Sequence, residues 1–386
     1  MRLLVRCVRG LEWVAADEIA STVGPAQLRM RRREIRFALP EPDPALFALR
    51  TADDVFAELG RLDDVGHTKD VPPKLAERVA GLDWRQAVDH VRTLRPLPAT
   101  PRFDVVVSLE GRRNFNRFTL EDAVGAVLAT RLGGRFVSRT ADGGRAAGTD
   151  LTVRLLLRGD GATVALRLAS HPLHRRSYKL DAGPGSLHPP LAAALARIAA
   201  PDAHPGAEGP GTVADPFCGD GTIPIETLLA YPGTRALASD LDPGRLANAH
   251  ANAHRAKVDI GFARADAGRL PWKEGGIDLV ITNPPWNVAV DAGGRLTGSL
   301  ERFWADLAAL TGRNACVIAD SGLEAPERLR AAGFSLLPHV QRIRIAGRIS
   351  DIVLAAQGPT PPSLPPGLAG WLDRALGTGV IGEDSF

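Results

Sequence analysis

The chain of 386 residues is long enough for more than one domain, and hydrophobic residues at 45% are sufficient for packed cores. Its three cysteines are widely separated, which excludes a disulfide framework and a paired-cysteine zinc site. No apolar run reaches the roughly 18 residues of a membrane span, and the start of the chain lacks the apolar core of a signal peptide. We therefore expect a soluble cytoplasmic protein with no membrane contact.

The charge is unevenly distributed along the chain. Residues 1–180 contain 30 Lys and Arg against 22 Asp and Glu, a net +8, whereas residues 181–386 contain 17 against 22, a net −5. A basic first half favours contact with a phosphate backbone. The alternative is that the many arginines, including the run at 31–33, only solvate a surface or a strand edge.

Apolar spacing predicts a mixed α+β first half that ends near residue 170. Strands are expected at 3–8, 28–33, 34–38 and 103–109, with a hairpin formed by 151–157 and 162–168. Helices are expected at 11–22, 44–60, 83–94 and 120–131. The Gly/Pro-rich stretch 181–185 predicts a hinge.

The second half changes to regular strand–helix alternation. Strands are expected at 212–214, 235–239, 259–264, 278–282 and 314–319, with helices between them, and a helix at 191–199 opens on two prolines. This alternation predicts a doubly wound parallel sheet. Two further strands, 337–345 and 349–355, predict a closing antiparallel hairpin, and a Pro-rich tail with a short helix follows.

A glycine-containing loop follows the first strand of this second sheet. The sequence from Asp215 to Glu226 contains Gly219 and Gly221, which permit a tight turn and close approach of a ligand to the backbone. Asp215 is expected to face an ammonium group. The loop lacks the Gly-Lys-Ser/Thr of a P-loop, which disfavours ATP hydrolysis.

Carboxylates end the next two strands. Asp240 is placed to accept both ribose hydroxyls of an adenosine, or alternatively to cap a helix, although Asp242 is the better cap candidate. Asp266 lies where an adenine amine is expected, and its alternative is an ordinary turn residue.

The fourth strand ends in the tetrapeptide Asn283-Pro284-Pro285-Trp286. Proline restricts Asn283 to extended backbone geometry, so that its side chain projects beyond the sheet. The Asn283 amide oxygen and the Pro284 carbonyl can accept hydrogens from an exocyclic amine, and Trp286 can stack on a planar base.

This order of motifs resembles the class I S-adenosylmethionine-dependent methyltransferases, with residues 212–356 covering the catalytic domain. The resemblance implies S-adenosyl-L-methionine as the methyl donor, and a seven-stranded doubly wound sheet. It implies cofactor contacts at Asp215, Phe217, Gly219, Gly221, Thr222, Asp240, Leu241, Asp266, Ala267 and Asn283. It implies catalytic roles for Asn283, Pro284, Pro285 and Trp286. Tyr is commoner than Trp at the last position, which bears on pocket shape more than on mechanism.

The segment 172–178, containing Leu173-His174-Arg175-Arg176, is similar to the junction of THUMP-domain RNA methyltransferases. That resemblance implies a ferredoxin-like portion at 1–45, a THUMP-like RNA-binding module at 46–180, the methyltransferase domain at 186–358 and the tail at 359–386. It implies guanine N2 of tRNA as the target, and RNA contacts at Arg112, Arg113, Arg117, His174, Arg175 and Arg176. The chain departs from the family at His188-Pro189, where a Thr/Glu-containing segment is expected near the methionine carboxylate.

Several alternatives remain open. The substrate can be guanine N2 or adenine N6 of rRNA, a DNA adenine or a protein glutamine, although a DNA enzyme usually adds a recognition region larger than this tail. The domain can also bind cofactor without acting, in an RNA-binding protein. No metal is expected, because His171 and His174 have no third ligand spaced to join them. The RNA species, the nucleotide position and the oligomeric state stay undetermined.

Overall fold

The computed structural model of the protein describes residues 1–140, 148–180, 182–200, 211–286 and 291–382. Two eight-stranded sheets organise these residues, one built from the first half of the chain and one from the second. In the described ranges, no helix has both the length and the hydropathy needed to cross a bilayer. Of the expected hinge 181–185, residue 181 lies outside the described residues, as does 383–386 of the tail.

The first sheet has strand order β2-β3-β1-β4-β8-β7-β5-β6. Its elements are β1 (Arg2–Cys7), α1 (Glu12–Val23), β2 (Leu28–Arg31), β3 (Glu34–Ala38), β4 (Ala52–Leu62), α2 (Val71–Ala80), α3 (Trp84–Leu94), β5 (Arg102–Leu109), α4 (Arg117–Leu132), β6 (Arg135–Phe136), β7 (Leu151–Arg158) and β8 (Gly161–Arg167). The hairpin expected at 151–168 is confirmed as β7 and β8. Strand β4 pairs with β1 on one side and with β8 on the other. One sheet therefore contains strands from both sides of the domain boundary expected at residue 45.

The helix predicted at 44–60 is wrong. A short 3₁₀ turn at Pro44–Ala48 is followed by the eleven-residue strand β4. Val55 and Ala57 pack into the core beneath the helices, while Phe56 between them packs on the opposite face of the sheet. A central strand that is buried on both faces overrides the weak helical preference of its residues.

Helix α2 was not expected, because its Pro72-Pro73 pair reads as a break in the pattern. Both prolines lie in its first turn, where the missing N–H groups have no partner within a helix in any case. The two faces of the first sheet are different in character. Leu3 and Val5 face the helical core, whereas Leu4 and Arg6 face away from it.

The second sheet has strand order β11-β10-β9-β12-β13-β16-β14, and β15 also pairs with β16. Its elements are α5 (Pro189–Ala199), β9 (Thr212–Asp215), α6 (Thr222–Ala230), β10 (Arg235–Asp240), α7 (Pro243–Ala256), β11 (Ile260–Arg264), β12 (Ile277–Thr282), α8 (Glu301–Leu310), β13 (Thr311–Asp320), α9 (Ala325–Ala331), β14 (Phe334–Leu336), β15 (Gln341–Ile345), β16 (Arg348–Gln357) and α10 (Pro366–Gly377). The expected parallel order and the closing hairpin are confirmed. The seven expected strands are present, and β14, which was not expected, adds an eighth that pairs with β16.

The two sheets are joined by buried polar contacts. The carboxylate of Glu226, on α6, is fully buried and accepts hydrogen bonds from Arg50 at 2.7 Å and from Arg176 at 3.0 Å. The indole of Trp13, on α1, donates to Gln341 of β15 at 3.0 Å. Helix α10 of the Pro-rich tail is part of this contact, because its buried apolar residues share a core cluster with Trp13.

Candidate active site

A cavity of about 1550 Å³ lies between the two sheets, at the carboxyl ends of β9, β10 and β12. The chain order of the strands reverses between β9 and β12, and such a reversal is where open α/β sheets bind ligands. All but one of the expected cofactor residues line this cavity: Asp215, Phe217, Gly219, Thr222, Asp240, Leu241, Asp266, Ala267 and Asn283. The exception is Gly221, which precedes α6 with φ of 78°, a conformation that favours glycine.

Asp215 ends β9 and is 1% exposed. Its Oδ1 atom accepts from the Phe217 amide at 3.1 Å and from the Thr282 hydroxyl at 2.8 Å. Its Oδ2 atom is buried with no hydrogen-bond partner among the described residues. Burial raises the pKa of this carboxyl to about 7, because the charged form is poorly solvated there. A cationic ligand bound beside Asp215 would stabilise the charged form.

Asp240 ends β10 and orders the glycine loop. Its carboxylate accepts from the Gly219 amide at 2.8 Å and from the Asp242 amide at 2.9 Å. A carboxylate has about four acceptor positions, so two remain for ligand hydroxyls. Asp242 is the N-cap of α7 and accepts from the amides of Gly244 and Arg245, which confirms the assignment of the cap to Asp242 rather than Asp240.

Asp266 follows β11 and holds a second loop against the cavity. Its two oxygens accept from the Gly268 amide at 2.9 Å and from the Arg295 amide at 2.8 Å. The expected position beside an adenine amine and the alternative of a turn residue are therefore compatible, since the side chain both closes a turn and lines the cavity.

The tetrapeptide Asn283–Trp286 follows the last residue of β12, Thr282. The Thr282 hydroxyl donates a hydrogen bond to Asp215, which connects the tetrapeptide to the end of β9. All four residues line the cavity, and Pro284 is buried. The Asn283 Oδ1 atom and the Trp286 indole nitrogen are both buried without a partner in the described part of the chain. An unsatisfied buried acceptor costs about 1–3 kcal/mol, so the Asn283 oxygen is poised to accept a hydrogen from a ligand.

All five arginines expected to contact RNA lie outside the cavity lining. Arg113 donates to the carbonyls of Gly66 and Gly159, and Arg176 donates to Glu226, Leu173 and Arg50. These guanidinium groups hold the fold together. Arg112, Arg117 and Arg175 are exposed outside the cavity lining, and His174 lies within it.

Asp53, His174 and His188 come together on the cavity wall, a grouping that sequence spacing does not reveal. Their ligand atoms all lie within 4.8 Å of one another, and among the described residues this is the one such grouping with the donors of a metal site. The His174 Nδ1 atom lies 3.1 Å from the Asp53 carbonyl, and the two imidazole rings are 5.2 Å apart. Burial lowers the pKa of His188 to about 4, so its ring is neutral at physiological pH. The grouping connects β4 to the start of α5.

A second wall of the cavity brings together arginines that sequence spacing does not connect. It is built from the first sheet and from β15, and it carries arginine side chains that include Arg6, Arg9, Arg32, Arg33 and Arg344. The cavity is therefore acidic at the strand ends of the second sheet and basic on the opposite side.

Residues 176–330 match the family model described as UPF0020: RMKL-like, methyltransferase domain. A segment of 154 residues is 39% identical to the tRNA (guanine(6)-N2)-methyltransferase of Thermus thermophilus, covering 39% of this chain and 43% of that protein. A segment of 253 residues is 30% identical to the ribosomal RNA large subunit methyltransferase K/L of Ectopseudomonas mendocina, covering 62% of this chain and 30% of that protein. The chain spans less than half the length of either curated relative.

The crystal structure of TrmN from Thermus thermophilus is similar over both sheets. The TM-score is 0.69 at 26% identity, and the match covers 92% of this chain and 99% of that chain. This likeness, the matched family domain and the strand order confirm the predicted fold class, a class I methyltransferase domain preceded by an α+β module.

Proposed function

We propose that the chain is an S-adenosylmethionine-dependent methyltransferase that modifies the N2 amine of a guanine in tRNA. The observation that carries this proposal is that the buried, unpartnered amide oxygen of Asn283 and the unpartnered carboxylate oxygen of Asp215 belong to residues that line the same cavity. One atom requires a hydrogen-bond donor and the other favours a cation. An exocyclic amine and the ammonium of S-adenosylmethionine supply both.

The residues of the acidic wall fit the cofactor. The free oxygen of Asp215 would face the methionine ammonium, and the remaining acceptor positions of Asp240 would bind the ribose hydroxyls. Asp266 and Ala267 would border the adenine, with Phe217, Gly219, Thr222 and Leu241 completing the lining. When bound, S-adenosylmethionine supplies an electrophilic methyl group on a sulfonium.

The tetrapeptide would orient the base. Asn283 and the Pro284 carbonyl accept the two hydrogens of the amine, which directs the nitrogen lone pair away from the ring and toward the methyl group. Trp286 stacks on the base plane, and Pro285 fixes the turn. The amine nitrogen gains the methyl and then loses a proton to solvent, so the chain needs no strong base.

The RNA substrate is supported by charge and by the relatives. The first 180 residues carry the excess of positive charge, and their likeness to TrmN extends through the α+β module. We assign 46–180 as a THUMP-like RNA-binding module, 1–45 as a ferredoxin-like portion and 186–358 as the catalytic domain. A tRNA target is supported by the 39% identity to the tRNA (guanine(6)-N2)-methyltransferase over 154 residues.

The proposal is tested by incubating the purified protein with labelled S-adenosylmethionine and separate tRNA and rRNA pools. The pools should come from cells that lack this protein, so that the target base is unmodified. We expect N2-methylguanosine in the tRNA nucleosides by mass spectrometry. N6-methyladenosine, or label in rRNA alone, would contradict the substrate assignment. Label in neither pool, with measurable cofactor binding, would favour a binding protein without activity.

A further inference from the structure

Four arginines from three separate segments meet on the basic wall of the cavity. Arg9 lies between β1 and α1, Arg32 and Arg33 lie in the turn between β2 and β3, and Arg344 lies on β15. All four line the cavity that contains Asn283 and Trp286. We call these four residues the arginine cluster.

In the described part of the chain, the guanidinium groups of the arginine cluster form no ion pair with a carboxylate. Within the described residues, the guanidinium groups of Arg9, Arg32 and Arg33 make no ion pair and no hydrogen bond, and Arg344 donates only to the Gly347 carbonyl at 2.7 Å. Deeper arginines of the same sheet are paired, such as Arg6 with Glu34 at 3.1 Å. Burial first and repulsion by Arg32 second lower the pKa of Arg9, attraction to the Glu12 carboxylate opposes them, and Arg344 and Arg33 add further repulsion.

Hydrogen bonds from backbone amides to the Glu12 carboxylate hold the loops of the arginine cluster in place. Glu12 is fully buried, and its carboxylate accepts from the Gly10 amide at 2.8 Å and the Arg33 amide at 2.7 Å, which joins the loops of Arg9 and Arg33. A Cβ atom on Gly10 would lie 2.8 Å from the carbonyl oxygen of Arg342, so this loop also packs against β15. Keeping like charges together costs free energy, and an anion bound between them would offset that cost.

We propose that the arginine cluster binds the RNA phosphates on either side of the target base, which rests on the proposed function. The carboxylates at the strand ends of the second sheet repel phosphate from the acidic side of the cavity. The base itself is uncharged and can approach that side. Guanidinium groups match phosphate oxygens in a two-point geometry. The division of charge therefore sets how far the RNA enters: the base reaches Asn283 and its phosphates remain at the arginines.

The test is a triple variant, Arg9→Gln with Arg32→Gln and Arg33→Gln, compared with Arg85→Gln on α3. Arg85 is exposed and lies outside the cavity lining, so that variant removes an arginine charge without touching the cluster. Affinity for an unmodified tRNA transcript is measured from 50 to 300 mM salt, together with S-adenosylmethionine affinity and melting temperature. The methyl-transfer rate is measured at saturating tRNA.

For the triple variant we expect tRNA affinity to fall by about 100-fold at about 0.15 M salt, with the slope of log affinity against log salt reduced by about 2 to 3. Cofactor affinity and the saturated rate should stay within about threefold, since base and methyl donor are held by the other wall. Without RNA, the variant should melt no lower than the wild type at low salt, because it relieves repulsion. Arg85→Gln should change none of these quantities substantially.

Different failures have different meanings. If the wild type methylates tRNA and the triple variant binds tRNA as tightly as Arg85→Gln, the arginine cluster is not the phosphate site. If the wild type neither binds nor methylates RNA but labels a protein, the proposed function fails and this inference fails with it. A triple variant that melts well below the wild type would assign the cluster a structural role and also overturn the inference.

Discussion

The two walls of the cavity differ in how they are built. The acidic wall consists of carboxylates that each follow a parallel strand, so a short stretch of sequence contains both the strand and its ligand-facing residue. The basic wall draws on the first sheet and on β15, which lie at opposite ends of the chain. The acidic wall is a local property of the sequence, whereas the basic wall exists only after the two sheets have packed together.

The largest effect on the methyl-transfer rate is expected at Asn283, which accepts a hydrogen of the reacting amine. Replacing Asn283 with Ala removes the acceptor that aims the nitrogen lone pair, and should lower the methyl-transfer rate by about 100- to 1000-fold. Single-turnover transfer and calorimetry with S-adenosylmethionine measure rate and affinity separately. Cofactor affinity should stay within about threefold, since other side chains hold it.

Asn114→Ala is the matched control for this variant, because Asn114 is exposed and lies outside the cavity lining. Parallel loss of rate and cofactor affinity in Asn283→Ala would mean that Asn283 supports the pocket rather than the reaction.

Asp215→Asn should weaken cofactor binding by about 10- to 100-fold at pH 8, because a charge-assisted hydrogen bond is lost. The pKa of Asp215 near 7 means that its carboxyl is mostly protonated at pH 6. Wild-type affinity should therefore fall about tenfold from pH 8 to pH 6, since binding then requires release of a proton. Calorimetry at both pH values checks this, and an affinity independent of pH in that interval would contradict the role given to Asp215.

The same carboxyl affects stability in the opposite direction. Its pKa rises from 3.8 to about 7 in the folded state, so the free protein loses stability as the pH rises through that interval. The Asn variant keeps the shape and removes the charge, and its melting temperature without cofactor should change less with pH than that of the wild type. A larger pH dependence in the variant would assign the effect to another group.

Glu12→Gln tests whether the arginine positions on the basic wall depend on the two hydrogen bonds that Glu12 accepts. A glutamine offers one acceptor oxygen where Glu12 bonds two amides, so the free energy of unfolding should fall by about 1–3 kcal/mol. Because the loops of Arg9 and Arg33 lose a common anchor, tRNA affinity should fall while cofactor affinity is unchanged. Denaturant unfolding and a binding titration check the two effects. Weaker cofactor binding in this variant would contradict the independence of the two walls.

The smallest effect is expected at Asp242. Its replacement by Ala removes the N-cap of α7 and should cost about 1 kcal/mol of stability. Cofactor affinity should change by no more than about threefold, in contrast to a change at Asp240 two residues earlier. Comparable losses of affinity at both positions would mean that loop order rather than direct contact determines cofactor binding.

The sequence was most informative for the second sheet. The strands and the residues that end them were predictable because alternation with helices fixes which strand ends meet at one edge. Strand β4 was not, since only its pairing in the middle of a sheet reveals that both of its faces are buried. Arg176 stands in a motif that resembles an RNA-binding junction, yet it donates to the buried Glu226. The grouping of Asp53 with His188 also depends on packing between distant segments.

The central claim is that each wall binds its own ligand. It is tested most directly by measuring cofactor and tRNA affinities for two proteins, Asp240→Asn and the triple arginine variant. We predict that Asp240→Asn weakens S-adenosylmethionine by at least about tenfold and leaves tRNA within about threefold, and that the triple variant does the reverse. Parallel loss of both affinities in both proteins would contradict the separation of the two walls.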